Sequence, residues 1–192
     1  MQKNLCHFIF EAFHLKNIKH EWWRLCWVEN PDSVAEHSLN AAQIWYILAK
    51  MEWADAMKVV TMLVWHDLWE TRIWDFHKVA ARYIEHKKKI EKEVMHDQLT
   101  WLPFEKELKD IFHEYEERTT LEWKIAKDAD YLEQAFQAKV YVEKWYKEAE
   151  DWIINVWNAL KTESAKKIWN EMQSVSFVDW WKEKKLKNLK NT

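Results

Sequence analysis

The chain has 192 residues, with 29 lysines and arginines against 32 aspartates and glutamates, so its formal charge at pH 7 is only −3. This near-balance argues against a nucleic-acid-binding protein, which carries a strongly basic surface. Hydrophobic residues make up 48% of the chain, too many for a disordered protein. No uncharged run reaches the roughly 18 residues of a membrane span, so we expect no membrane partner.

Glycine is absent and proline occurs only twice, although average usage would give about 13 glycines. Because β-hairpins depend on glycine-rich turns, whereas helix interiors disfavour both residues, this composition predicts an all-α fold. The length suits a single domain over residues 1–192. Cys6 and Cys26 are too few for a disulfide framework and favour two reduced thiols in a cytoplasmic protein.

Apolar residues at helical spacing predict a series of helices along the chain. Start signals precede several of them: Ser33 with Glu36 has the sequence of a capping box, and Thr119 or Thr120 precedes Glu122 in the same way. In chain order the predicted helices cover about residues 5–15, 33–51, 54–68, 84–99, 103–118 and 120 to the mid-140s, followed by one or two more between 148 and 190.

Three predicted helices contribute residues that can bind a metal or transfer a proton. These residues are two histidines and three carboxylates: His37, His66, Asp67, Glu70 and Asp130. Taken singly each residue is a weak signal, because a lone histidine beside an apolar helix is more often a core residue. Together, a mixed nitrogen and oxygen ligand set suits a divalent first-row metal such as Mn²⁺, Co²⁺, Fe²⁺ or Zn²⁺ better than Ca²⁺. Glu70 shares a helical face with His66 and Asp67, which places a carboxylate beside the metal.

The same residues lie in three longer motifs, ENPDSVAEHS at 29–38, HDLWETRIWD at 66–75 and KIAKDADYLE at 124–133. These motifs resemble the HD-domain metal-dependent phosphohydrolases, and in particular the 5′-deoxynucleotidase branch. The resemblance implies a single-domain helical bundle with a metal-site core over about residues 20–145 and C-terminal helices over about 148–190. It also implies a homodimer.

The resemblance further implies that one divalent metal ion, with Mn²⁺ or Co²⁺ as candidates, is held by His37, His66, Asp67 and Asp130. The expected reaction is hydrolysis of 2′-deoxyribonucleoside 5′-monophosphates to deoxynucleoside and phosphate. Glu70 matches the general acid or base, and with Asp67 it makes up the expected catalytic pair.

Four further positions are expected to bind the substrate. Asp75 matches a carboxylate that lines the nucleoside site, and Trp23 matches an aromatic residue that packs near the sugar and disfavours a 2′-hydroxyl. Family members often carry an arginine just before this aromatic position; here His20 or Arg24 is the candidate replacement. Lys78 is either a phosphate contact or a surface lysine.

Two alternatives remain open. The chain is also compatible with another HD-domain nucleotide phosphohydrolase, such as a phosphodiesterase or a nucleoside polyphosphate hydrolase. A non-catalytic or designed helical scaffold that retains the ligand set is the competing class. Metal content and substrate preference separate these alternatives.

The 16 tryptophans are the second anomaly of the composition. Family members commonly have glycine at the positions of Trp22, Trp27, Trp69 and Trp74. Four more tryptophans fall where a small residue or a turn is expected, at Trp45, Trp53, Trp101 and Trp145. We hypothesise that many of them replace glycine, through a recoded codon or a glycine-free redesign. Trp69 would block the nucleotide pocket if its side chain pointed inward.

Overall fold

The structure, a computed structural model, describes residues 2–189 and is all-α, as predicted. Within that range the only β-type pairing is an isolated bridge between Lys19 and Ser33. None of the described helices is both long enough and apolar enough to cross a membrane. The α-helices are α1 (Gln2–Phe13), α2 (Val34–Met51), α3 (Ala56–Trp65), α4 (Glu70–Ile73), α5 (Lys78–Ala81), α6 (Lys87–Leu99), α7 (Glu105–Glu117), α8 (Leu121–Glu143), α9 (Glu150–Ala159), α10 (Glu163–Ser174) and α11 (Asp179–Leu189).

Helix starts follow the sequence signals. Ser33 is the N-cap of α2: its hydroxyl accepts the Glu36 backbone N–H, and the Glu36 carboxylate accepts the Ser33 N–H, which completes the predicted capping box. Thr120 caps α8 by accepting the Trp123 N–H. These caps fix the residues at which the two longest helices begin.

Some predicted boundaries were wrong. The third helix ends at Trp65, because residues 66–69 form a turn that redirects the chain into α4. The predicted link over 69–84 contains the short helices α4 and α5. After residue 148 there are three helices rather than one or two, and the predicted end at residue 190 lies outside the described residues.

Helices α2 and α8 pack against each other in the main hydrophobic core, together with α3, α9 and α10. The α8 face in this core is rich in alanine, which lets the neighbouring helices approach closely. A second cluster includes Phe8, Val34, Leu68 and Met95. The turn after α3 links the two clusters, since Leu63 belongs to the first and Leu68 to the second.

Left-handed backbone conformations are occupied mainly by tryptophan. Among the described residues seven have φ between 58° and 78°, and five of these are tryptophans; the other two are His86 and Arg118. The five are Trp27, Trp53, Trp74, Trp101 and Trp145, all with exposed indoles. Residues with a Cβ are disfavoured in this region, whereas glycine adopts it freely.

The tryptophans thus divide into two groups. The five left-handed positions are those that a glycine would ordinarily occupy, which supports the replacement hypothesis for them. Trp69 instead has φ −59°, a value that needs no glycine. Trp45 lies within α2 and is fully buried in the main core, so neither of these two positions requires glycine for its backbone.

We predict that Trp53→Gly is more stable than Trp53→Ala by about 1 kcal/mol, because only glycine relieves the left-handed strain. Trp53 suits the test since its side chain is 94% exposed and loses little packing when removed. Urea unfolding of the two variants measures the difference. Equal or greater stability of the alanine variant would contradict the assignment of strain to this position.

Candidate metal centre

The five residues predicted to bind a metal or transfer a proton lie close together in the structure. His37 lies in the first turns of α2, His66 is the C-cap of α3, Asp67 follows it in the turn, Glu70 begins α4 and Asp130 lies in the middle of α8. Neighbouring residues such as His66 and Asp67 can face one centre because α3 ends there and the chain changes direction. The packing of α2, α3 and α8 therefore builds the site.

Nitrogen and oxygen atoms of four of these residues converge. His37 Nε2 lies 3.3 Å from Asp130 Oδ1 and 3.7 Å from Asp67 Oδ2, and His66 Nε2 lies 2.9 Å from the same Asp67 oxygen. Candidate ligand atoms of His37, His66 and Asp67 all lie within 4.8 Å of one another. The Asp67 side chain is 18% exposed, so the cluster is open to solvent on that side.

Both imidazoles are oriented through their Nδ1 atoms. His37 Nδ1 donates to Glu133 Oε2 at 2.6 Å, and His66 Nδ1 donates to the Leu63 carbonyl at 2.7 Å. The Nε2 atom of each ring faces the other candidate ligands. Burial opposes the charged form of His37, but the Glu133 and Asp130 carboxylates outweigh it and hold the pKa of His37 well above its usual value. A metal ion that binds His37 through Nε2 would therefore displace a proton.

Asp130 is held by its own helix. The Lys127 ammonium donates to Asp130 Oδ2 at 2.5 Å, and the Gln134 amide donates to Oδ1 at 3.1 Å. Burial opposes the charged form of Asp130, but the Lys127 and His37 charges outweigh it and hold the pKa of that carboxyl well below its usual value. Asp130 is consequently a fixed oxygen atom donor that favours the ionised form, and a candidate ligand.

Glu70 has a different environment. Its side chain is buried, and Oε2 has no hydrogen-bond partner among the described residues. Burial raises the pKa of Glu70 well above the ordinary glutamate value, and the neighbouring Asp67 and Asp75 carboxylates raise it further. A carboxyl group with a raised pKa beside an ionised one is the arrangement that acid–base chemistry uses.

Two further predicted residues lie next to the cluster. The His20 ring is 4.7 Å from the His37 ring, and His20 Nδ1 is 3.3 Å from Asp32 Oδ2. Asp75 accepts the Glu21 backbone N–H at 2.8 Å. Burial raises the pKa of Asp75, although its His20 neighbour and its hydrogen bonds oppose the shift.

A cavity of about 250 Å³ lies beside this region, lined partly by Trp22, Lys78, Gln134 and Trp152. The Lys78 ammonium sits over the Trp22 ring, 5.0 Å from its centroid, so Lys78 is not an isolated surface lysine. The Trp22 Nε1 donates to Asp75 Oδ1 at 3.2 Å. Trp22 thus connects the cavity to Asp75. Gln134, which also lines the cavity, donates to Asp130 and connects the cavity to that residue.

Two tryptophans take positions that sequence reasoning did not foresee. Trp23, the predicted sugar contact, is 1% exposed and packs in the main core against Tyr141 and Trp152, so Trp22 lines the cavity in its place. Trp69 packs in the second cluster with the Lys87 ammonium 4.6 Å from its ring centroid. Trp69 therefore does not line the cavity of about 250 Å³.

The residues fit a divalent metal ion. Ligand bonds of about 2.1 Å place donor atoms of one shell roughly 3 to 4 Å apart, which is the separation of the His37, Asp67 and Asp130 atoms here. The buried Glu70 Oε2 has no hydrogen-bond partner among the described residues, which leaves one oxygen at the site for a bound group. Two imidazoles and two carboxylates are also the donor types that first-row metals accept.

Sequence reasoning missed three contributors: Lys127, Glu133 and Trp22. Lys127 and Glu133 lie one turn before and after Asp130 on α8, so their spacing from a recognised ligand was an available signal. Trp22 was set aside as a glycine position. Only the structure reveals that its indole reaches Asp75.

Comparisons with known proteins identify the family of this chain. The HD domain profile matches residues 12–173. The 5′-deoxynucleotidase HDDC2 of Dictyostelium discoideum is 33% identical over 136 residues, which cover 66% of this chain and 72% of that protein. A conserved hypothetical protein from Pyrococcus furiosus superposes with a TM-score of 0.75 at 28% identity, covering 88% of this chain and 99% of that one.

A more distant solved structure is the cyanophage S-2L HD phosphohydrolase, bound to dA and one catalytic Zn²⁺ ion. It shares the fold with a TM-score of 0.53 at 12% identity, covering 86% of this chain and 96% of that chain. The matched range 12–173 contains every residue of the cluster and nearly all of the main core. This chain belongs to the HD-domain family, on the branch of its 5′-deoxynucleotidase relatives.

Proposed function

We propose that this protein is a metal-dependent phosphomonoesterase that hydrolyses 2′-deoxyribonucleoside 5′-monophosphates to deoxynucleoside and inorganic phosphate. The observation that carries the proposal is the convergence of His37, His66, Asp67 and Asp130 beside the buried, unpartnered Glu70 carboxyl. The curated relatives named 5′-deoxynucleotidase support the substrate class. The proposal treats residues 1–192 as one HD domain, with the metal-site core over about 20–145.

In this proposal His37, His66, Asp67 and Asp130 hold one divalent ion, with Mn²⁺ and Co²⁺ as the leading candidates. When bound, the ion supplies Lewis-acid stabilisation of the charge on a phosphoryl oxygen. The protein contributes rigid ligands: Lys127 fixes Asp130, and a main-chain carbonyl fixes His66. Rigid placement limits the reorganisation that the reaction would otherwise require.

Glu70 is the proposed general acid or base. Water attacks phosphorus and gives up one proton, the bond from phosphorus to O5′ breaks, and O5′ receives one proton to leave as the deoxynucleoside hydroxyl. No net proton is consumed over one turnover. The raised pKa of Glu70 supports the role of proton donor to O5′. Burial opposes the charged form of Asp67, but the neighbouring His66 and His37 outweigh it and lower the pKa of that carboxyl. The pKa values of Asp67 and Glu70 are therefore shifted in opposite directions, as in other acid–base pairs.

A phosphate dianion needs cationic partners in a site so rich in carboxylates. Lys127 is in contact with Asp130, and Lys78 lies at the edge of the neighbouring cavity over Trp22. We assign phosphate contact to Lys78, because its ammonium lies at the edge of the cavity, and a supporting positive charge to Lys127. Lys127 offsets part of the negative charge of Asp130.

We assign the nucleoside to the cavity of about 250 Å³, which adjoins Asp75 through Trp22. Asp75 is held by the Glu21 N–H and the Trp22 indole, so it presents a fixed carboxylate at the cavity edge. Trp22 and Trp152 offer apolar walls against which a deoxyribose packs and a 2′-hydroxyl loses its hydration. Trp23 does not line the cavity but supports His20: the two rings pack edge-on with 6.3 Å between their centroids.

We predict metal-dependent phosphate release that favours a deoxy substrate. The measurement compares 2′-deoxyadenosine and adenosine 5′-monophosphates in chelator-treated buffer and after addition of Mn²⁺ or Co²⁺, with His66→Ala as the inactive control. A phosphodiester and a nucleoside triphosphate are run beside them. Faster turnover of either would favour the alternative HD phosphohydrolases, and no metal binding at all would favour the non-catalytic scaffold.

Glu70→Gln is predicted to lower the rate of phosphate release by about 10²- to 10⁴-fold, because it removes the transferable proton. It should also stabilise the metal-free protein at neutral pH. The pKa of Glu70 is raised in the folded state, so ionising this group there costs free energy. The free energy of unfolding of the parent protein therefore falls as the pH rises from the ordinary glutamate pKa through the raised one. The stability gain should therefore vanish as the pH falls towards about 4.

Urea unfolding at several pH values, with chelator present, measures the second effect. The exposed Glu85 provides a matched control, and Glu85→Gln should change neither rate nor stability. A Glu70→Gln variant that is less stable than the parent at neutral pH would refute the proposed environment of this carboxyl.

We also propose that two copies associate. An apolar stripe on α2 is left exposed, formed by Leu39, Tyr46, Ile47 and Met51, and contiguous exposed apolar surface often marks an interface. Light scattering after size exclusion should give about twice the 23.7 kDa of one chain, and Ile47→Glu should lower that mass. A monomer at all concentrations would refute the dimer.

A cytoplasmic location stays a prediction, consistent with Cys6 and Cys26 being free.

A further inference from the structure

Glu133 is a buried carboxylate at the back of the metal centre. Its side chain is 3% exposed, and Oε2 lies 2.6 Å from His37 Nδ1. No lysine or arginine of the described chain forms an ion pair with it; its partner is His37 alone. A buried negative charge with so little compensation is costly, which calls for a positive charge that acts through the imidazole.

The two candidate histidine ligands are oriented differently. His66 donates its Nδ1 proton to the Leu63 carbonyl, which belongs to the main chain of the same helix. His37 donates to a side chain on another helix, α8, which also carries Asp130 three residues earlier. One turn of α8 therefore carries both the candidate ligand Asp130 and Glu133, the residue that orients the candidate ligand His37.

The geometry points to Glu133 as a positioning residue of the metal centre: through His37 Nδ1 it fixes the ring orientation and tautomer, and it increases the electron donation of Nε2 to a divalent cation. A carboxylate that accepts the proton of a metal-bound imidazole acts in this way at many metal sites. The inference rests on the proposed function only in taking His37 as a ligand.

The test is Mn²⁺ affinity of the full-length chain, measured by calorimetry or by competition with a fluorescent chelator. We expect Glu133→Ala to weaken Mn²⁺ binding about 10- to 100-fold. Glu133→Gln should lose less, because its amide oxygen still accepts the Nδ1 proton, but it should bind more weakly than the parent since the charge is gone. Thermal unfolding of the metal-free variants is recorded in parallel.

Asp128 provides the matched control. It is a buried carboxylate on the same helix, yet it accepts the backbone N–H groups of Lys161 and Thr162 and contacts none of the candidate ligands. Asp128→Asn should therefore lower the thermal stability while leaving the Mn²⁺ affinity within about twofold of the parent, because it breaks structural bonds only.

Unchanged Mn²⁺ affinity in either Glu133 variant would overturn the inference. So would an equal loss in Asp128→Asn, because the effect would then come from a weakened α8. If Glu133→Ala fails to fold, the glutamine variant carries the test alone. If the parent protein binds no Mn²⁺ or Co²⁺, the proposed function fails first, so the two failures are distinguishable.

Discussion

The contact between α2 and α8 is the constraint on which the site depends. It sets His37 against both Asp130 and Glu133, so one ring from α2 is held by two carboxylates one turn apart on α8. Alanine residues on α8 permit this close approach, and the Ser33 cap fixes where α2 starts and hence the depth of His37. A shift of either helix by one residue would separate these atoms by rotating the side chains about 100° around the axis.

Charge balance is the second organising constraint. Four of the acidic residues around His37 and His66 are buried, namely Glu70, Asp75, Asp130 and Glu133. Three kinds of interaction reduce the cost of burying these groups. Lys127 pairs with Asp130, hydrogen bonds hold Asp75, and burial raises the pKa of Glu70, which favours its neutral form. A divalent cation would complete the compensation, since an incompletely balanced acidic cluster favours cation binding over the empty state.

Much of this architecture could be predicted from the sequence, because its signals are local. Absence of glycine predicts helices, the capping box at Ser33 predicts the start of α2, and the motifs identify residues that the fold does bring together. Side-chain direction could not be predicted for Trp23, whose burial depends on distant partners in α8 and α9. Periodicity also extended α3 to residue 68, since apolar spacing continues through a turn that tertiary contacts create.

The end of α3 gives the site an electrostatic property independent of its side chains. The peptide dipoles of a helix add to roughly half a negative charge at its C-terminus, and α3 ends at Trp65 with His66 as its C-cap. The Leu63 carbonyl, one of these terminal groups, already points at an imidazole of the centre. The main chain thus adds an attraction for a cation that no substitution of a ligand side chain removes.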